Sequence, residues 1–144
     1  MIANNYYFGP ILFKVKMEAD DLEKVKQLCN RRPENNAAKD LVGHFKDEFR
    51  LDLKSFDNVM QKYYEFFRHG YYQFYQNHIP SLHTSSAWVN YMKKGEHNPP
   101  HIHVGCNFSS VMILEKPAGL KEEIEMYYKN SASQYNGPGC LMFG

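Results

Sequence analysis

The strongest constraint in this sequence is the aromatic-rich run that opens at Ser55. Phe56, Val59, Met60, Tyr63, Phe66 and Phe67 recur at i, i+3 and i+4 spacing, which marks one face of an α-helix. Ser55 is the predicted cap, and the pattern continues through Gly70 to Tyr71, Tyr72, Phe74 and Tyr75. Rings this dense can also be read as a base-stacking platform. No cluster of lysines and arginines accompanies them, so packing of the helix against a sheet is the better reading.

The segments on either side predict a mixed architecture. From Ile11 the chain alternates, with Phe13, Val15 and Met17 on one face and lysines between them, as in a strand. Asp20 and Asp21 are predicted to cap a helix carrying Leu22, Val25, Leu28 and Cys29, ending near Arg32 because Pro33 disfavours helical geometry before it. The polar stretch 33–39 reads as a loop. Residues Ser85 to Met92 have strand composition, Lys93 to Asn98 form a polar turn, and Phe108 to Leu114 is a second apolar run. Periodicity leaves Leu120 to Tyr128 between a short helix and an extended excursion. Gly137-Pro138-Gly139 reads as a turn and Cys140 to Phe143 as the start of another strand. The expectation is one α+β domain over 1–144, with helical support over about 18–80 and a β core over about 84–144.

Bulk properties exclude some partners. Seventeen basic residues face sixteen acidic ones, which gives no electrostatic reason to expect nucleic acid or an anionic membrane. The opening residues show no basic segment leading into an apolar run, so no secretory leader is expected, and no apolar run approaches the ~20 residues of a membrane helix. Cys29, Cys106 and Cys140 are odd in number and far apart, which reads as reduced thiols in a cytoplasmic protein.

The chemistry concentrates in Asn98-Pro99-Pro100-His101-Ile102-His103. Two prolines hold the backbone extended, and in an extended segment residues two apart point to the same side. His101 and His103 thus present two imidazoles together, with Ile102 turned away. Neutral imidazole suits Fe(II), Ni, Cu and Zn alike. His97, in the polar turn, reads as exposed. Cys106, after Gly105, is either a nearby thiol ligand or an ordinary small residue. On the preceding segment Asn90 shares a face with Trp88 and Met92, and Tyr91 points oppositely. Asn90 is the residue expected to line a pocket, and Trp88 the one expected to pack in the core. Ser110 and Met112 share a face on the following run. His44, His69, His78 and His83 lie on helical or connecting segments and read as structural.

The run from Ala87 to Gly105, Ala-Trp-Val-Asn-Tyr-Met-Lys-Lys-Gly-Glu-His-Asn-Pro-Pro-His-Ile-His-Val-Gly, resembles a marine bacterial and phage branch of the 2-oxoglutarate/Fe(II)-dependent oxygenases. Ser109 to Leu114 looks like that branch's next strand, Gly137-Pro138-Gly139 has a counterpart, and Leu41 to Phe49 resembles the segment before its long helix. The resemblance implies a double-stranded β-helix (a cupin-like jelly-roll) with N-terminal helices on one face. It implies iron held by His101 and His103, 2-oxoglutarate bound near Asn90, and a hydroxylase-type reaction on a small-molecule or protein substrate.

Members of the branch continue into strands that supply a distal histidine and an arginine for 2-oxoglutarate. Here no histidine follows His103 and no arginine follows Arg68. The jelly-roll is therefore expected to be incomplete at its C-terminus. Its open edges would need a second copy or another chain. The rival functions are a catalytically dead jelly-roll that binds a partner or serves structurally, and a cupin-like zinc or nickel enzyme.

Overall fold

A computed structural model describes residues 12–38, 46–131 and 137. The elements in chain order are α1 (Ala19–Leu28), a 3-10 turn (Pro33–Asn35), β1 (Glu48–Arg50), α2 (Leu53–Tyr75), β2 (Trp88–Asn90) and α3 (Leu120–Asn130).

The expected jelly-roll is not found among the described residues. The described residues hold three α-helices and one antiparallel sheet of two short strands, so the architecture is mostly helical. Residues 12–17 and 108–114 have the composition of strands but belong to no ladder among the described residues. A strand is made by hydrogen bonds to a neighbour. Apolar alternation reports a side-chain pattern and is silent on whether that neighbour exists. Ile11 and the expected turn and strand from Pro138 to Phe143 lie outside the described residues, as does His44.

The Ser55 rhythm is expressed as α2, although its start lies earlier than expected. The cap is Asp52, whose carboxylate accepts the Ser55 N–H at 2.9 Å. The helix ends on Gln76, left-handed at φ 54°, whose N–H reaches the Tyr72 carbonyl at 2.8 Å. Gly70 stands within the helix for a packing reason: the Phe13 ring lies so close that a Cβ there would sit 2.5 Å from it. The aromatic face of α2 meets Phe13 and Phe108, from extended segments, and not a sheet. Phe67 packs edge-on to Phe13 with centroids 5.9 Å apart and to Phe108 at 4.9 Å.

Helix α1 packs on α2 through a polar joint. Asp21 is not a cap. Its carboxylate is buried, accepts the Tyr63 hydroxyl at 3.0 Å and pairs with Lys62 and Lys24. Lys62, then Lys24, hold the Asp21 carboxyl well below the usual range. Its contribution to stability is therefore present at neutral pH and is lost as pH falls through and below the ordinary aspartate range. The same Tyr63 hydroxyl accepts the Glu18 N–H at 3.0 Å. Replacing Tyr63, itself 5% exposed, with phenylalanine removes the acceptor of the Glu18 N–H and one of the donors to Asp21. The Tyr63→Phe variant is expected to lose about 1–2 kcal/mol in chemical denaturation. An unchanged midpoint would show that the joint carries no stability.

The connection from α2 to β2 is tied back to the helix. Arg68 donates to the Ile79 carbonyl at 2.7 Å and the Pro80 carbonyl at 3.0 Å. Asp57 accepts the Tyr64 hydroxyl at 2.6 Å and the Thr84 N–H at 3.1 Å. Burial, reinforced by Asp57, pushes the Tyr64 hydroxyl up to about 12. The chain is thereby delivered to β2, where Phe49 opposes Val89, Glu48 opposes Asn90 and Arg50 opposes Trp88. Phe49 and Val89 are buried with Val25, Ala37 and Tyr63. Tyr91, beyond β2, donates its hydroxyl to the Cys29 carbonyl at 2.9 Å and joins the sheet to the end of α1.

Candidate metal centre

Side-chain alternation along β2 sorts its residues into two environments. Val89 is buried opposite Phe49, and Tyr91 stacks edge-on to Phe49 with centroids 6.0 Å apart. Trp88 and Asn90 take the other face, both half-buried. From there the chain turns at Gly95, which adopts φ 86°. The turn is closed by the Glu96 carboxylate, which accepts the Lys93 N–H at 2.7 Å. It is anchored by Lys93 Nζ on Asp47 at 2.8 Å. Lys93 in turn lowers the Asp47 carboxyl below its ordinary range.

Past Pro99 and Pro100 the two histidines come together. Their Nε2 atoms are 3.2 Å apart and their ring centroids 4.7 Å apart. His101 Nδ1 lies 2.8 Å from the Pro99 carbonyl. A carbonyl only accepts, so Nδ1 carries the proton and His101 Nε2 is the acceptor in its contact with His103 Nε2, the lone pair a metal ion would take in place of that proton. This is how a metal-ligating imidazole is normally oriented, by a hydrogen bond from its other nitrogen. Two nitrogens about 2.1 Å from one ion lie about 3.0 Å apart at a right angle and about 3.4 Å apart at the tetrahedral angle. The observed separation falls between these limits. His103 also lies against Trp88, with centroids 5.7 Å apart, which ties the pair to the polar face of β2.

The other residues singled out by sequence are arranged differently. Cys106 is exposed, and its thiol turns back across Gly105, at φ 77°, to the His103 carbonyl at 3.9 Å. Among the described residues no group of three or more His, Cys, Asp or Glu side chains is placed to hold a metal ion. Ser110 is exposed and Met112 half-buried, on a segment without secondary structure. His97 is exposed. Trp88 is half-buried against His103 and does not sit in the buried core. His78 stacks on Tyr72 at 4.3 Å and His69 bonds Gln73 at 2.8 Å, both local to α2 and its end.

One residue escaped sequence reasoning. Glu48 stands directly across the ladder from Asn90 and is 1% exposed. Its Oε2 and the Asn90 Oδ1 are both buried without a hydrogen-bond partner. Burial pushes the Glu48 carboxyl above the ordinary glutamate range. Two orphaned acceptors on directly opposed residues of the ladder are a costly arrangement. Nothing in Lys46-Asp47-Glu48-Phe49-Arg50 distinguishes this carboxylate from its solvated neighbours.

No family model, no curated protein and no solved structure matches the chain. No helix among the described residues is long and apolar enough to cross a membrane.

Proposed function

We propose that the chain is a divalent-metal protein whose metal seat is His101 and His103. Its proposed activity is that of an Fe(II)- and 2-oxoglutarate-dependent oxygenase of the hydroxylase type. The observation that carries the reading is the 3.2 Å approach of two Nε2 atoms, one of them oriented by the Pro99 carbonyl. The donor set fits Fe(II), as it fits other late divalent ions. Asn90 shares a face of β2 with Trp88, against which His103 rests, so its amide is a group on the metal side that can donate to a carboxylate of 2-oxoglutarate. The metal would supply the oxidising chemistry when bound. The chain's own residues hold it and orient the cosubstrate. The pair offers two ligands, so a second copy or another chain is proposed to complete the site. The free thiols Cys29 and Cys106 suit a reducing cytoplasm, and the near-balanced charge argues against nucleic acid as partner.

A second reading, a non-catalytic binding or structural module, is favoured by the lack of a third ligand among the described residues. Anaerobic titration with Fe(II), with and without 2-oxoglutarate, separates the two. Under the first reading iron binds, 2-oxoglutarate strengthens binding, and the His101→Ala, His103→Ala double variant loses affinity by on the order of 100-fold or more. Iron binding that ignores 2-oxoglutarate would favour the second. Wild-type binding no tighter than the double variant's would remove the metal seat altogether.

A further inference from the structure

The segment that carries the histidine pair is uncharged over its whole length. Residues 97–114 contain no Asp, Glu, Lys or Arg, in a chain that is 23% charged. The segment is also open. His101 and His103 are exposed, Ile102 and Val104 are each 84% exposed, and Val111 and Ile113 are 59% and 51% exposed. Among the described residues the backbone of 101–104 makes no backbone hydrogen bond. This is an uncharged segment whose backbone groups, the His103 carbonyl reached by the Cys106 thiol apart, are open to pairing with another strand.

We infer that a second copy of this chain pairs antiparallel with this edge on a two-fold axis through Ile102, so that the histidine pairs of both copies enclose one divalent ion. The inference rests on reading His101 and His103 as the metal seat and not on the oxygenase activity, because four nitrogen ligands close the ion to 2-oxoglutarate and dioxygen. The register follows from symmetry, because an isologous contact must be self-complementary. With Ile102 opposite Ile102, each His101 stands opposite the other copy's His103. Directly opposed residues in an antiparallel pair have Cβ atoms about 5 Å apart. Four imidazoles then lie on one face of the ribbon, within reach of a single ion that takes four nitrogen ligands. On the other face the exposed Ile102 and Val104 side chains of the two copies cover each other. No charge across eighteen residues opposes the approach. The edge begins at His101 because Pro99 and Pro100 have no N–H to donate.

The test is titration of the full chain with cobalt(II) chloride, read by d–d absorption and by sedimentation. The expected result is a monomer without metal and a dimer with it, saturating at one cobalt per two chains with the strong absorption of tetrahedral cobalt. An Ile102→Lys variant keeps both histidines but sets two like charges opposite each other on the axis. It is expected to bind cobalt at least tenfold more weakly and to stay monomeric. Ile102 is largely exposed, so its helical circular dichroism should match the wild type. One cobalt per chain on a wild-type monomer would overturn the paired site and leave the histidine seat standing. No cobalt binding would overturn both. A dimer that forms without metal, or an Ile102→Lys variant that dimerises around cobalt as the wild type does, would overturn the proposed axis.

Discussion

Replacing Phe67 with alanine is expected to lower the stability of the chain by about 3 kcal/mol, the lower end of the range for a packed phenylalanine because the ring is only half-buried. The ring is the meeting point of three others. Phe13 and Phe108 pack on it edge-on with centroids at 5.9 and 4.9 Å, and Tyr71 lies tilted at 6.2 Å. Each aromatic pair is worth about 0.5–1.5 kcal/mol beyond area burial, and the truncation removes all three at once. The neighbouring residue supplies the control. Phe66 is 57% exposed, and Phe66→Ala should change stability by less than about 0.5 kcal/mol. Chemical denaturation of the two variants side by side decides the matter. Equal midpoints would mean that the aromatic face of α2 is not a core.

The same substitution reaches the metal seat. Phe108 lies five residues beyond His103 and packs on α2 through Phe67 and, at 5.7 Å, Tyr71. Without Phe67 that anchor is halved, and the extended segment has fewer contacts to oppose local opening. Proteolytic cleavage within 97–114 is therefore expected to be faster in Phe67→Ala than in Phe66→Ala under native conditions. Equal cleavage rates would show that Phe108 does not tether the segment.

How far the sequence could be read follows from what each residue type reports. Phe56 through Tyr75 announces a helix because the 3.6-residue period is a property of the helix itself. Its first turn was misplaced because Ser55 and Asp52 are both good caps, and the choice between them lies in which side chain reaches a free N–H. Strands differ in kind. Phe13, Val15 and Met17 alternate as a strand does, and so does the run from Phe108, yet no partner strand accompanies either among the described residues. The two strands that do form, Glu48–Arg50 and Trp88–Asn90, pair across 40 residues of sequence through a register that no local pattern encodes. The jelly-roll came from resemblance alone, with no count of paired strands behind it. The histidine pair was legible for the opposite reason: two prolines and a one-residue spacing fix its geometry within six residues. Asp21 was read as a cap and is instead the buried centre of the α1–α2 joint, because only the folded chain brings Lys62 and Tyr63 to it.

Glu48 supplies the other large effect. A buried carboxylate with one oxygen lacking a donor is a destabilising feature, so Glu48→Gln is expected to stabilise the chain by about 1–3 kcal/mol at pH 7. The amide brings a donor to the residue directly opposite Asn90, whose Oδ1 also lacks one. The pH dependence gives the sign. Burial raises the Glu48 carboxyl, so the folded state holds that proton more tightly than the unfolded chain does. Its contribution is most favourable below the ordinary glutamate range, and it declines as pH rises through the raised folded value. The advantage of Glu48→Gln should therefore be small near pH 4 and grow toward neutrality. The lowered carboxyls of Asp21, Asp47, Asp52 and Asp57 are present in both proteins and cancel in the comparison. A variant less stable than wild type at pH 7, or a gap that does not move with pH, would show that Glu48 has a partner in solution. A chain that keeps such a carboxylate on the face of Trp88 and His103 is retaining a cost, and retained costs of this kind belong to sites more often than to cores. If Glu48→Gln gains stability and loses the response of iron binding to 2-oxoglutarate, Glu48 and Asn90 act together on the cosubstrate side of the seat. Stability gained with that response intact would confine Glu48 to the sheet.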